Sequence, residues 1–223
     1  MARIIVVILC LLLTGCQRQE TRVSTKEDNF TYQEVEKYFN KFQCGDLINI
    51  ENSHYISNLA IPGRWKHTLI YLGTEDQVQK VISKESPYYQ KIMEMYQDKD
   101  EVVVLDANVG GVQLRYFKQM ANLKDESYLK SLICYRFTKN QEFINQFLDN
   151  AFLYLNTPYD YEMDFSNDQK LYCSELIYWS LKKMNVEFTQ NTKLFQYTII
   201  SPTDLMNDLK SQKMIKKVLI LEQ

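Results

Sequence analysis

Cys173 is the residue of this sequence best placed to act as a nucleophile. It begins an apolar run whose three- and four-residue spacing is typical of a helix, which puts the thiol in the first helical turn. Unpaired backbone N–H groups and the helix dipole lower the pKa of a thiol at that position and make it more nucleophilic. The alternative is a buried structural cysteine, because free cysteine is among the most buried residue types.

His67 is the better of the two candidate bases, because a general base needs a ring that is held in place. It stands at the start of a strong strand pattern, whereas His54 lies in a loop with no regular element around it. Taken alone, a strand histidine is more often structural than catalytic. Asp106 ends a valine-rich strand pattern, where burying a carboxylate is costly unless it has a partner.

The hydrophobic periodicity predicts a mixed helix and strand domain around these residues. Strands are expected near residues 46–50, 65–73, 78–82, 101–107 and 132–137, with a short strand near 112 and an edge strand near 214–221. Helices are expected after the capping pair Thr31 and Glu34, after Ser86, from 140 to 155, from Cys173 and after Ser201. From residue 30 onward the chain is long enough for one domain with its own core.

The first 16 residues have the pattern of an export signal. Arg3 precedes an apolar run from Ile4 to Leu13 that is too short to span a bilayer, and the small residues before Cys16 resemble a bacterial lipobox. In such a signal the cysteine is acylated and becomes the mature N-terminus. Residues 17–29 are polar and charged, as expected for a flexible tether. We therefore expect a protein of the bacterial cell envelope, lipid-anchored to a membrane outside the cytoplasm.

The composition argues against several other classes of protein. A formal net charge of -2 disfavours a nucleic-acid partner, which would leave a basic footprint. Beyond the signal the cysteines are Cys44, Cys134 and Cys173, so at least one thiol stays free unless chains pair. Cys134 lies on an apolar strand and is interpreted as structural. With two histidines and no paired-cysteine motif, neither a metal site nor a cofactor is expected.

Three stretches, in order along the chain, resemble the permuted papain-like amidases, the YiiX/YaeF-like branch of the NlpC-type cysteine peptidase superfamily. They are Gly45-Asp46-Leu47-Ile48, then Trp65 to Gly73 around His67, then Leu171 to Ile177 around Cys173. Residues 104–112, Pro158-Tyr159-Asp160 and 201–205 are also similar, so the match covers most of residues 44–205. Each motif is common by itself, but the ordered set is specific.

The resemblance implies that residues 30–223 form an α+β domain with the circularly permuted papain-like (NlpC-type) fold. In this fold helices pack on an antiparallel sheet, with the histidine strand first and the nucleophile helix last. By position, the resemblance implies Cys173 as nucleophile, His67 as general base and acid, and Asp106 as the residue that orients the imidazole. Asp106 departs from the family pattern, in which glutamate is expected more often, and Glu75 is the second candidate.

These expectations describe a thiol hydrolase that cleaves an amide through an acyl-enzyme, with an envelope peptide or lipid as substrate. The Cys173 backbone N–H is the expected oxyanion donor, and Tyr159 or Tyr161 could add a hydroxyl, although packing is the commoner role of tyrosine. Two alternatives stay open. One is acyl transfer or thioester cleavage on lipids, as in the related lecithin:retinol-type acyltransferases, and the other is a non-catalytic envelope-binding module that keeps the fold.

Overall fold

The computed structural model describes residues 29–52, 61–163, 165–194 and 197–222. Cys16, the expected tether up to residue 28 and the competing base His54 lie outside these ranges. Within them, no helix has both the length and the apolar character needed to cross a membrane.

Eight strands form the β structure of the described chain. They are β1 (Asp46–Asn52), β2 (His67–Gly73), β3 (Val103–Asn108), β4 (Gly111–Tyr116), β5 (Leu129–Phe137), β6 (Thr192–Leu194), β7 (Tyr197–Ile199) and β8 (Ile215–Glu222). Six of them build one antiparallel sheet in the order β4-β3-β2-β1-β5-β8, while β6 and β7 pair as a separate hairpin. The strand that begins at His67 therefore lies inside the sheet, between β1 and β3.

Six α-helices accompany the sheet in the described ranges. They are α1 (Tyr32–Glu36), α2 (Glu75–Val81), α3 (Tyr89–Met93), α4 (Gln141–Phe152), α5 (Cys173–Lys182) and α6 (Pro202–Ser211). Side chains cap three of them, because Thr31, Asn140 and Ser201 each accept the backbone N–H three residues further on. These bonds satisfy N–H groups that have no partner within the helix and so define where each helix begins.

The inner strands β1, β2 and β3 are buried on both faces of the main sheet: successive side chains of a strand point to opposite sides, and nearly all of theirs are buried. Ile70 of β2 pairs with Leu105 of β3, and both lie in the hydrophobic cluster that includes α4, α5 and α6. The next pair, Tyr71 with Val104, lies in a second cluster with residues of α1 and of the segment after β4. The near-continuous apolar runs of these strands follow from this two-sided burial.

One predicted element is wrong. Residues 78–82 were expected to form a strand, but residues 75–81 form helix α2. The Thr74 N–H donates to the Gln77 side-chain oxygen at 3.0 Å, and two acidic residues occupy the first turn, both of which favour a helix start. The apolar positions at 78, 81 and 82 fit a helical period as well as a short strand, so periodicity alone was ambiguous.

Most other predicted elements are confirmed. Strands form at the expected places around 46, 67, 103, 111, 132 and 215, and helices begin after 140, at 173 and after 201. The expected helix after Ser86 is reduced to the five residues of α3. The β6–β7 hairpin had no counterpart in the sequence analysis.

Candidate active site

Three elements bring the predicted catalytic residues together. His67 is the first residue of β2, Asp106 lies in the neighbouring strand β3, and Cys173 is the first residue of α5. Helix α5 packs against both strands, so its N-terminal thiol lies beside them. Residues distant along the chain therefore converge at one site.

The His67 ring links the other two side chains. Its Nε2 lies 2.6 Å from Asp106 Oδ1, and the ring also shares a side-chain hydrogen bond with Cys173. Because Nε2 faces the acid, Nδ1 is the nitrogen left for the thiol. The Asp106 side chain is 0% exposed and Cys173 is 2% exposed, so this chain of hydrogen bonds is shielded from water.

The charges in this cluster support one another. Burial by itself would lower the pKa of His67, but the Asp106 carboxylate and the adjacent Cys173 outweigh it and raise that pKa well above its usual value. Burial would also raise the pKa of Asp106, but the charges of His67 and then of Arg115 lower it to about 2. At neutral pH the acid is ionised and the ring favours imidazolium, the form that stabilises a neighbouring thiolate.

Arg115 belongs to the site although the sequence analysis did not single it out. Strand β3 lies between β2 and β4, so Asp106 meets His67 from one side and Arg115 from the other. Arg115 Nη1 lies 2.7 Å from Asp106 Oδ2, and Asn108 donates to the same oxygen at 3.1 Å. In the β3–β4 ladder Asp106 is opposite Gln113, and Arg115 is two residues on, which puts it on the same face.

The short side chain of Asp106 reaches the ring without a glutamate at this position. The second candidate, Glu75, begins α2, beyond the end of β2 opposite to His67. Its carboxylate accepts from Gln79 Nε2 at 2.8 Å. The structure therefore brings Asp106, and not Glu75, to the histidine.

The start of α5 is tied to the segment before α6. The Ser174 hydroxyl donates to the Ile200 carbonyl at 2.7 Å, and the Ile200 N–H donates to the Tyr172 hydroxyl at 3.0 Å. The Tyr172 N–H in turn donates to Glu175 Oε2 at 3.1 Å. These bonds flank Cys173 on both sides and fix the backbone that carries the thiol.

Of the two candidate tyrosines, Tyr159 is the one near the nucleophile. Burial, and next the proximity of Cys173 and Asp106, raise the pKa of Tyr159, whose side chain is half-buried. Tyr161 is 69% exposed, and its hydroxyl donates to the Val109 carbonyl at 2.8 Å. The two rings meet edge to face at 5.0 Å. Tyr159 thus lies close to Cys173, and Tyr161 packs against it from the surface.

The Gly45-Asp46 motif is structural and lies away from the site. Asp46 pairs with Tyr71 near the opposite end of the β1–β2 ladder from His67. Its carboxylate accepts from Arg136 Nε at 2.8 Å and Nη2 at 2.7 Å, and from the Cys134 thiol at 3.4 Å. Burial raises the pKa of the Cys134 thiol, which is 0% exposed and unreactive in this setting. The interpretation of Cys134 as structural is confirmed.

A buried thiol lies at a helix start and is hydrogen-bonded to a histidine, whose ring also contacts a carboxylate on the neighbouring strand. This is the arrangement of papain-like cysteine hydrolases. Residues 41–219 match the sequence model of a family described as permuted papain-like amidase enzyme, YaeF/YiiX, C92 family. Because this match spans most of the chain, the protein belongs to that family of cysteine peptidases and amidases. The enzyme class expected from the sequence is confirmed.

A solved structure shows the same fold. The crystal structure described as metalloprotein YiiX of Escherichia coli O157:H7 is similar with a TM-score of 0.57 and 16% sequence identity, over 82% of this chain and 99% of that one. Together with the family match, this likeness confirms the expected α+β permuted papain-like fold. In the described ranges of this chain, no group of three or more His, Cys, Asp or Glu side chains could hold a metal ion. No curated protein matches the chain at a significant level.

Proposed function

We propose that this protein cleaves an amide bond with Cys173 as nucleophile, His67 as general acid and base, and Asp106 as the residue that orients the imidazole. The observation that carries the proposal is the continuous hydrogen-bonded chain from thiol to ring to carboxylate, with the Nε2–Oδ1 distance of 2.6 Å. In this pairing the acid holds the ring and stabilises its protonated form. The family match supports amide cleavage as the reaction.

The first half-reaction uses Cys173 as the thiolate and His67 as the imidazolium, the form that its raised pKa favours. The Cys173 sulfur attacks the amide carbonyl carbon, and the electron pair of the C=O bond moves to oxygen. As the first residue of α5, Cys173 has a backbone N–H without an intrahelical partner, which is suited to stabilise that oxygen. The C–N bond then breaks, and His67 gives its proton to the leaving amine.

The second half-reaction regenerates the thiolate of Cys173 and the imidazolium of His67. His67, now neutral, takes a proton from water, and the resulting hydroxide attacks the thioester carbon of the acyl-enzyme. The C–S bond breaks, releasing the carboxylic acid, and the sulfur again pairs with the imidazolium. Throughout the cycle Asp106 stays ionised, because Arg115 neutralises its second oxygen.

Alkylation of Cys173 tests this assignment without a known substrate. Iodoacetamide should label Cys173 in the wild type and leave Cys44 and Cys134 largely unmodified, because burial raises the pKa of these two thiols. Cys173→Ala should abolish the label, as read by mass spectrometry of each cysteine peptide. His67→Ala should slow labelling at least ~tenfold near neutral pH by removing the cation that stabilises the thiolate.

Cys173→Ala with undiminished total labelling would move the nucleophile to another thiol. Hydrolysis by the wild type is then measured on matched amide, ester and thioester substrates built from envelope peptides and from lipids. Amide cleavage by the wild type that is lost in both Cys173→Ala and His67→Ala supports the proposal. Turnover of lipid esters or thioesters alone would favour the acyl-transfer alternative, and binding of envelope fractions without turnover would favour a non-catalytic module.

We also propose that the protein is exported and anchored to a membrane of the bacterial envelope through acylated Cys16. The support is the export-signal pattern of residues 1–16, which is followed by a polar stretch. Phe30 is attached to the sheet, because its N–H donates to the Leu129 carbonyl at 2.8 Å. This contact agrees with a folded domain that includes residue 30.

The anchor is tested by metabolic labelling with a radioactive fatty acid and by cell fractionation. The wild type should incorporate the label and sediment with membranes, and Cys16→Ser should do neither. Cys10→Ser is the matched control, because it removes a thiol from the apolar run without touching the lipobox. Equal incorporation by the wild type and Cys16→Ser would contradict the anchor.

A further inference from the structure

Glu175 is a buried acid beside the nucleophile to which the reaction above gives no role. It is the third residue of α5, and its side chain is 0% exposed. Its Oε2 accepts the Tyr172 N–H at 3.1 Å, while Oε1 has no hydrogen-bond partner in the described ranges. No cation of that part of the chain forms an ion pair with it. The carboxyl is therefore enclosed without a compensating positive charge.

The groups that shift the pKa of this carboxyl come from two segments, and none of them is a cation. From α5 and its N-cap they are Cys173, the Tyr172 N–H and the Trp179 indole, and from the loop before α5 it is Asp160, which is 2% exposed. Burial raises the pKa of Glu175 to about 9; the Tyr172 N–H and the Trp179 indole oppose the rise, and Asp160 and Cys173 add to it. Because a buried carboxylate without a cation is costly, Glu175 is a neutral acid at neutral pH.

The neutral state matters because the thiolate forms two residues away in the same helical turn. An ionised Glu175 would repel that thiolate across a water-excluded gap, where charges interact more strongly than in solvent. It would also offset the favourable field of the helix N-terminus at the sulfur. A protonated carboxyl still accepts the Tyr172 N–H through Oε2, so it holds the first turn without adding a charge.

We propose that Glu175 is a positioning residue, a neutral carboxylic acid that holds the first turn of α5 and leaves the Cys173 thiolate without a second negative charge in its own turn. The inference rests on the proposed function, because it takes Cys173 as the nucleophile. Glu175 acts through Cys173 and does not contact substrate. A purely structural role would require the hydrogen bond alone and would be indifferent to the protonation of Glu175 near the thiolate.

The test compares the wild type with Glu175→Gln, which keeps the acceptor and cannot ionise. Cys173 is alkylated with neutral iodoacetamide and with anionic iodoacetate from about pH 7 to about pH 10, and each rate is read on the Cys173 peptide. As the pH rises over this range, the iodoacetate-to-iodoacetamide rate ratio should fall about threefold more in the wild type, where Glu175 ionises, than in Glu175→Gln, where it cannot. Loss of charge on His67 is common to both proteins, so their difference isolates Glu175.

Glu187→Gln is the matched control. It removes the same charge from an exposed residue that lies beyond the end of α5 and pairs with Lys182, the last residue of that helix. The iodoacetate-to-iodoacetamide rate ratio of Glu187→Gln should change with pH as that of the wild type does. A wild-type ratio that already lies about threefold below that of Glu175→Gln at about pH 7 would show an ionised Glu175, and would overturn its role while leaving the nucleophile in place. Absence of any label on Cys173 would instead overturn the proposed function itself.

A second measurement covers the case in which Glu175→Gln does not fold. Carbon-13 NMR of the wild type, labelled at glutamate side-chain carboxyls, should show one resonance that titrates near pH 9. The resonance is assigned to Glu175 by its sensitivity to alkylation of Cys173. If every glutamate of the folded protein titrates near the ordinary value of about 4.3, Glu175 is ionised during catalysis and the proposal is wrong.

Discussion

At the scale of single residues, Asp106 is the group on which the site depends electrostatically. Its two oxygens are divided between His67 at 2.6 Å and Arg115 at 2.7 Å. These contacts explain how an aspartate can stand at a position where a glutamate was expected. The neighbouring strands β2 and β3 bring the short side chain within hydrogen-bond distance of the ring, and Arg115 offsets the free-energy cost of burying the carboxylate.

The depressed pKa of Asp106 predicts a definite dependence of stability on pH. The native-state pKa of about 2 lies below the usual 3.8, so the folded protein binds this proton less readily than the unfolded chain. The stabilisation is therefore complete above about pH 4 and is lost as the pH falls toward 2. Urea unfolding should show that the wild type loses about 2 kcal/mol more than Asp106→Asn over this interval. Parallel losses in the two proteins would contradict the assigned ion pairs.

At the scale of elements, the β3–β4 hairpin connects Asp106 to the loop that carries Tyr159. Gly111 begins β4 with φ +89, a conformation that favours glycine. The next residue, Val112, donates to the Thr157 carbonyl at 2.8 Å and accepts the Asn156 N–H at 2.7 Å. The loop that precedes α5 is thus held against the hairpin that helps to position Asp106.

Gly111→Ala should disturb both stability and reactivity. A Cβ at this position would lie 2.5 Å from the Thr157 carbonyl oxygen, so backbone must move in addition to the strain of a positive φ. We expect a loss of about 2 kcal/mol in urea unfolding and slower alkylation of Cys173. Gly110→Ala is the control, because its Cβ would meet only side-chain atoms, those of Gln113 and Asn108, and no backbone. Equal effects of the two substitutions would argue against this role of Gly111.

At the scale of the whole molecule, the sheet separates two hydrophobic clusters, and the three cysteines of the described chain are divided between them. Cys44 and Cys173 belong to the cluster that includes α4, α5 and α6, and Cys134 belongs to the other. The Cys134 thiol on β5 is fully buried, with strands on both sides of it in the sheet. Its exposure requires that the sheet itself open.

Cys134 should therefore report global unfolding. In pulse-alkylation across a urea gradient, Cys173 should be labelled under native conditions, whereas Cys134 should be labelled only within the main unfolding transition seen by circular dichroism. Tryptic peptides resolved by mass spectrometry give the two rates in one experiment. Labelling of Cys134 well before that transition would show that β5 opens separately from the rest of the sheet.

The sequence by itself determined most helices and strands, and it indicated the residues that we propose as nucleophile and base. Helix caps and apolar periodicity are local signals, carried by residues within one or two turns of each other. The cysteine was recognisable because it begins such a helix, and His67 because it begins a strong strand. The error at α2 arose where a short apolar pattern fits two periods equally well.

Only the tertiary structure decided which acid meets His67, that Arg115 supports it, and that Glu175 is enclosed without a cation. These facts depend on strand register, on which segments pack against α5 and on burial, none of which is encoded within a few neighbouring residues. Electrostatic free energies vary with distance and with exclusion of water. The protonation states that make the site reactive therefore arise only when segments far apart along the chain are packed together.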